Sequence, residues 1–535
     1  MESKKPALFY NSKIFEDFKF PFAASIICSL ICHLYFITNN LINHDSIYSL
    51  FRSNDEYVLG RWALKYATSL SSYADLPLVT STICVLALAL TVCITARLFK
   101  IQNRLSIVLL AGLFSTHPAI TTTLLYRYTA DGYMIAMLLS TIAAYLMFRY
   151  RYGFLAAGFI LGFSAGIYQA YIPYFLSLAA LRLLFITINE KEDLKELLLR
   201  VLNLAMTMII GLIVYFLGLK YSLHVHNGYL STYQGISGLG RAAAGELPHL
   251  FKNAYTSLSS FFFGYRFINN TIYLKIAYAV ILFLSAYHLI VAIIRNEVYK
   301  NRIKLLALVL LIVFLPVLIN SAVFMGARSV HMLMLTSYVH IFIPLIVFLD
   351  FYLESPKNYV IDNKLYKRFL STKIENNALD KTFLYLGTAA LLFVIYSYYI
   401  LDNKIYLKSH LLYENSYAFT NRLVSRIEVL DGYSYDKSVA IIGKMKKDQY
   451  PVTKPEFDEL EKITGLQQMD YFFEDKPNRI ISFINGWIGV KMSPASSEVI
   501  KGIIDSKEFK EMTVYPAKDS IKIINDVITV KLSNN

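Results

Sequence analysis

Apolar runs of about 18 to 23 residues recur through roughly the first 400 positions, divided by short polar connections. A helix of that length crosses a hydrocarbon layer of about 30 Å. The pattern predicts about eleven transmembrane helices, near 20–38, 76–97, 105–123, 131–149, 152–169, 171–188, 199–219, 271–294, 303–320, 331–350 and 381–401. The chain then divides into an N-terminal segment 1–19, a membrane body 20–401 and a tail 402–535 without long apolar runs.

The tail follows shorter periods. LLYENSYAFTNRLVSRIEVL repeats apolar and aromatic positions three and four apart and predicts a helix. EFDELEKITG and SSEVIKGIIDSKEF also predict helices; SVAIIGK and FKEMTVYP predict strands. DSIKIINDVITVKLS predicts a hairpin turning at Asn525-Asp526. Together these make a small α/β domain with a mixed sheet, and it contains neither a GxGxxG nor a P-loop pattern.

Two connections are long, 39–75 and 220–270. Within the first, 47–70 has helical periodicity and suits a helix lying at the membrane interface, with Trp62 and Tyr66 at headgroup level. Segment 220–254 is rich in Gly and His and predicts an irregular loop; 255–268 suits a short re-entrant or interfacial helix.

Composition agrees with the pattern: 56% of the 535 residues are hydrophobic and 17% charged, below the roughly 25% charge of soluble proteins. The net charge of +14 is placed by topology, which argues against a nucleic-acid partner. Lys and Arg crowd alternate connections, including Lys100 with Arg104, Arg149 with Arg151, and Arg295 with Arg302. Such enrichment marks the cytoplasmic side. It predicts a cytoplasmic N-terminus and, with an odd span count, an extracytoplasmic tail. The first apolar run is too long for a signal peptide and has no small-residue cleavage site, so an uncleaved helix is expected. Cys28, Cys32, Cys84 and Cys93 all lie in apolar segments and suit buried small hydrophobes.

Functional polarity concentrates on the outer connections. His44 and Asp45 follow the first span, then Asp55, Glu56 and Arg61. A carboxylate fixed there could take a proton from an attacking hydroxyl, and several together could hold a divalent metal; a solvated loop is the plain alternative. His117 lies near the end of the third span, followed by Arg127 and Asp131. Arg127 could grip a phosphate as a bidentate fork or pair with Asp131 four residues on. Tyr168 and Gln169, in SAGIYQAYIP, suit either an aromatic belt or a sugar contact. Arg328 stands alone in its short loop and could meet lipid headgroups or a phosphate. His224 and His226 have metal-like spacing without a clear third ligand. No cytoplasmic nucleotide-binding domain and no clear intramembrane acidic pair is evident.

NHDSIYSLF with Asp45, LGRWAL at 59–64, SAGIYQAYIP at 164–173 and the multi-span layout resemble the membrane glucosyltransferases that modify bacterial O-antigen, a family associated with serotype conversion. That family resembles the broader C-type glycosyltransferases. The resemblance implies a polyprenyl-phosphate sugar as donor, with glucose as the sugar, a lipid-linked or envelope glycan as acceptor and a flippase supplying the donor. It implies inverting transfer at the periplasmic face of the bacterial inner membrane, with Asp45 as base, Arg127 or Arg328 on the phosphate, and Asp55 or Glu56 orienting the acceptor, binding a metal, or replacing Asp45 as base. A lipid-linked oligosaccharide transporter and a non-catalytic envelope assembly protein are the competing readings.

Overall fold

The computed structural model describes residues 12–48, 55–189, 194–232, 244–325, 330–353, 378–445, 454–460, 462–466, 471–473 and 476–534. Among the described residues, nine helices are long and apolar enough to cross a membrane, or ten if one bent pair forms a single span. The protein is a polytopic helical membrane protein. The apolar stretch expected at 105–123 is that bent pair: Arg104–Thr116 and Pro118–Leu125 meet at 43°. Pro118 has no N–H to continue the ladder, and the residue before it is pushed out of helical geometry; His117 sits at φ −63°, ψ 126°. The stretch expected at 152–169 forms Gly153–Ile167, whose 15 residues reach only about 22 Å.

Two helices run far past their expected ends. Leu194–Val225 has 32 residues and absorbs the start of the expected loop 220–254; Leu247–Phe262 takes in its end. Ala378–Glu428 has 51 residues, about 77 Å, and passes through position 402 without a break. It contains no proline and only Gly387 among weak helix formers, so nothing local stops it at the end of the apolar run. Helix packing uses close backbone approach: a Cβ on Gly162 would lie 2.9 Å from the Gly211 carbonyl oxygen of Leu194–Val225.

The expected interfacial helix over 47–70 does not form as one element. The described part is a series of turns: Ser46–Tyr48, Asp55–Leu59, Leu64–Ala67 and Thr68–Ser71. Gly60 at φ +75° breaks the helical path, and the Ala63 amide donates to the Gly166 carbonyl at 2.9 Å instead of within a helix.

Beyond the membrane body lies a four-stranded mixed sheet in the order β2-β1-β4-β3, with β1 Ser438–Ile442, β2 Ser493–Pro494, β3 Ile521–Ile524 and β4 Val527–Lys531. β1 runs parallel to β2 and β4; β3 and β4 form the antiparallel hairpin. Asn525 and Asp526 both have positive φ, 50° and 65°, as a tight two-residue hairpin turn requires. The expected strand FKEMTVYP is instead the short helix Lys507–Glu511 followed by extended chain. Ser506 caps that helix, its hydroxyl accepting from the Phe509 amide at 3.2 Å. Pro455–Leu460 is a 3-10 turn rather than an α-helix. This unit docks on the connections between the membrane helices: the turn Ile484–Ile488 meets Ser46–Tyr48, and the Met332 amide donates to Thr464 Oγ1 at 3.3 Å.

Candidate functional site

The chain leaves the Ser12–Thr38 helix and turns at once. Asn43 Oδ1 accepts from the Asp45 and Ser46 amides at 2.9 and 3.0 Å, a side-chain-closed turn that fixes where Asp45 points. His44 Nε2 lies 3.3 Å from Asp45 Oδ1, and the His44 ring stands edge-on to Tyr126. The Asp45 side chain is 41% exposed.

Glu56 and Arg61 form an ion pair at 3.3 Å. The Arg61 guanidinium lies over the rings of Tyr168 and Tyr133, 5.0 and 5.7 Å from their centroids, and those rings stack on each other at 4.3 Å. Burial opposes the Arg61 charge, but Tyr133 and Glu56 facing it carry its pKa further up, so it stays cationic. Its Nε is buried and has no partner among the described residues. Asp45, Glu56, Arg61 and Tyr133 all lie within electrostatic reach of the Tyr128 phenol, and Tyr126, edge-on to His44, has its ring 6.4 Å from that of Tyr128. An exposed carboxylate, a paired carboxylate, a permanent cation and three phenols therefore meet where the first connection crosses the starts of two spans.

A bracket holds this cluster. Gln169 Nε2 donates to the Leu59 carbonyl at 3.1 Å and to Tyr215 Oη at 3.0 Å, tying the first connection to the Leu194–Val225 helix. Beneath it, Arg127 pairs through Nε with Asp75 and donates from Nη2 to Asn40 Oδ1 at 2.6 Å. The two charged side chains are 1% and 0% exposed. The Arg127–Asp131 pair expected from spacing is replaced by this one. At a helix start the side chain leans back toward the N-terminus, away from the residue four positions on. Asp131 instead accepts from Ser71 Oγ at 2.7 Å and from the Gly132 amide at 2.9 Å.

The cluster thus gathers His44, Asp45, Glu56, Arg61 and Tyr168, with Gln169, Arg127 and Asp131 as its supports. His117 lies elsewhere: it caps Pro118–Leu125, stacks on Phe261 and meets Tyr398 edge-on. Arg328 and the Asp55 side chain lie outside the described residues. Trp62, expected at headgroup level, is wedged between helices, where a Cβ on Gly166 or Gly218 would strike its ring at 2.5 or 2.4 Å. His226 stacks on Tyr57 and bonds the Ser222 carbonyl oxygen. Among the described residues, no three His, Cys, Asp or Glu form a group that could hold a metal. Sequence reasoning passed over Tyr133, Asp75 and Asn40. The available signals were the polar and aromatic run RYTADGY opening a span and an acid immediately before another.

A family model described as Glucosyl transferase GtrII matches residues 34–347. Comparison with curated proteins and with solved structures returned no match.

Proposed function

The chain belongs to the glucosyl transferase GtrII family and is a glycosyltransferase of the membrane, and from that premise we propose that it moves a glucosyl residue from a polyprenyl-phosphate carrier to a hydroxyl of an envelope glycan such as O-antigen. The transfer occurs at the non-cytoplasmic face of the inner membrane, with the N-terminus cytoplasmic and the sheet-bearing tail periplasmic. A flippase supplies the donor from the other face. The observation that carries this reading is the meeting of the exposed Asp45 carboxylate with the Arg61 cation around Tyr128, inside the segment matched by the family model.

In the proposed step the acceptor oxygen attacks the anomeric carbon from the side opposite the phosphate. The new C–O bond forms as the C–O bond to the phosphate breaks, inverting the anomeric centre. Asp45 takes the hydroxyl proton. The leaving polyprenyl phosphate departs with the bonding electrons, and Arg61 stabilises its charge through the Nε donor that lacks a protein partner. Glu56 orients Arg61, and His44 orients Asp45. Arg127 also has an unpartnered nitrogen, Nη1, but it is held by Asp75 and Asn40 and is 1% exposed against 19% for Arg61, which favours Arg61 as the phosphate partner. The donor is already activated, so no nucleotide is needed.

The test uses the purified chain, a polyprenyl-phosphate-glucose donor and an envelope glycan acceptor. Asp45→Asn is expected to lower transfer by about 10² to 10⁴-fold, the usual worth of a positioned base. Unchanged transfer by a folded Asp45→Asn protein removes Asp45 as base. Absence of transfer from any polyprenyl-linked sugar removes the reading itself. The step is written without a divalent metal, so chelation is expected to leave the rate unchanged. Loss of activity on chelation with recovery on adding Mg²⁺ would reassign the carboxylates to metal binding.

A further inference from the structure

A second site lies at the far ends of the same helices. Ser12–Thr38, Pro77–Phe99, Arg127–Arg149 and Tyr171–Asn189 all have one end near the candidate transfer site, marked by Asn40, Asp75, Arg127 and Tyr168. Their other ends, near Phe18, Arg97, Arg149 and Arg182, enclose a cavity of about 640 Å³. A helix of 23 residues, such as Arg127–Arg149, separates the two places by about 34 Å.

The cavity is strongly basic. Arg97, Lys100, Arg104, Arg149 and Arg182 line it, and Asp17 is the one carboxylate among the lining residues. Asp350 stands close behind, with Oδ1 accepting from the Gln102 and Asn103 amides at 3.0 and 2.7 Å. Local structure forces the crowding. Lys100 caps the Pro77–Phe99 helix in the left-handed conformation, φ 60°, and the next helix begins at Arg104, so three cations share one turn. Phe18 and Phe20 hold two of them, with the guanidinium carbons of Arg97 and Arg104 at 5.6 and 5.4 Å from the ring centroids. Arg182 lies seven residues before the end of its helix, about 10 Å inside. A cation at that depth is costly in a membrane and marks a functional site more often than a topological anchor.

Five cations and one carboxylate line the cavity, so its net charge attracts an anion. The surroundings indicate which anion. Phe20, Ile27 and Ile31 recur at seven and eleven residues, so they share one face of the first helix, and all three are exposed. Leu105 and Val108 are exposed on the Arg104–Thr116 helix that packs beside it. An apolar track therefore leads away from the basic cavity along the outside of the protein.

We propose that this cavity binds the phosphate headgroup of an anionic membrane lipid, with the acyl chains along the Phe20–Ile31 face. The site sits opposite the transfer site and does not depend on the transfer reaction. Basic pockets between membrane helices recognise lipid phosphates by charge and hydrogen bonding together.

The test is native mass spectrometry of the full chain titrated with phosphatidylglycerol, phosphatidylcholine or inorganic phosphate. Phosphatidylglycerol is expected to bind with clear preference over phosphatidylcholine. Each removed cation weakens an anionic lipid by about fivefold, so Arg97→Gln with Arg149→Gln should weaken it about 30-fold. Arg295→Gln with Arg302→Gln, which removes as much basic charge away from the cavity, should leave binding within about twofold on the same basis. In the unaltered protein, a photoactivatable phosphatidylglycerol should label residues near Phe20 and Leu105, a readout that needs no variant to fold. Equal loss in both double variants, equal binding of the two lipids, or labelling spread over the whole membrane surface overturns the proposal. Displacement of the lipid by millimolar inorganic phosphate overturns the lipid assignment in favour of a free-phosphate site.

Discussion

Arg127 and Asp75 are sealed from water, while Glu56 and Arg61 keep 24% and 19% of their side chains exposed. The difference in burial sets different consequences for removing one partner. Arg127→Gln leaves a carboxylate stranded in the interior and is expected to cost about 3–5 kcal/mol, read as a large drop in the thermal midpoint in detergent. Arg61→Gln breaks a partly solvated pair worth about 1 kcal/mol or less. Under the proposed function it should leave the midpoint nearly unchanged while lowering transfer by about 10²-fold, the scale of one lost charge-stabilising donor. A reversed order of the two effects would mean that Arg127 serves the substrate and Arg61 the fold. His331, in the connection that precedes the Thr336–Leu353 segment, is held neutral by burial and by the charge of Arg266, so its pKa lies below the ordinary histidine value. The folded state therefore binds this proton less readily than the unfolded chain. Its stabilising contribution is complete above pH about 6.5 and declines as pH falls through the folded pKa. His331→Gln should flatten that part of the stability profile between pH 7 and 5.

At the scale of elements, the first long connection is shaped by its neighbours more than by its own periodicity. Segment 47–70 carries a helical pattern, yet Gly60 turns it aside and Trp62 anchors it in a notch made by Gly166 and Gly218. Both glycines matter through the missing Cβ, which would lie inside contact distance of the indole. Gly166→Ala or Gly218→Ala should displace Trp62 and cost about 1–3 kcal/mol as overpacking. Arg61 directly precedes Trp62 in sequence, so transfer should fall together with a change in indole fluorescence. A fluorescence spectrum and activity both unchanged would show that the connection is positioned by Gln169 alone.

For the whole molecule, one 51-residue helix joins the membrane body to the sheet-bearing unit. The unit is also clamped to this helix, since Lys404 pairs with Glu459 and the Phe472 amide donates to Ser416 Oγ at 3.0 Å. An unbroken helix fixes distance and direction together, so the unit is held over the connections it docks on instead of swinging on a linker. Glu414 is exposed on the helix between the two parts, so its side chain can be lost at little cost. Glu414→Pro removes a backbone hydrogen bond and introduces a clash worth about 3 kcal/mol. It should open a new protease site near residue 414 while membrane insertion persists. An unchanged digestion pattern would assign the fixed orientation to the side-chain clamps rather than to helix continuity.

The membrane body and the β3–β4 hairpin were legible in the chain itself. Hydropathy over a window reports the solvent that a segment prefers, and Asn525-Asp526 tolerates the positive φ that a tight turn needs; both are local properties. Helix ends were less legible, because Ala378–Glu428 and Leu194–Val225 continue into polar sequence wherever no breaker stops them. The acidic and basic residues of the first connection could be recognised as candidates, and Asp45, Glu56 and Arg61 do gather around Tyr128. Their partners could not be read from spacing. Arg127 meets Asp75, 52 positions away, instead of Asp131, four away. Sequence alone determined which segments prefer lipid and which residues bring charge to the connections between them. Tertiary structure decided which charges are buried in pairs and which remain exposed, because burial and pairing depend on which distant elements pack together.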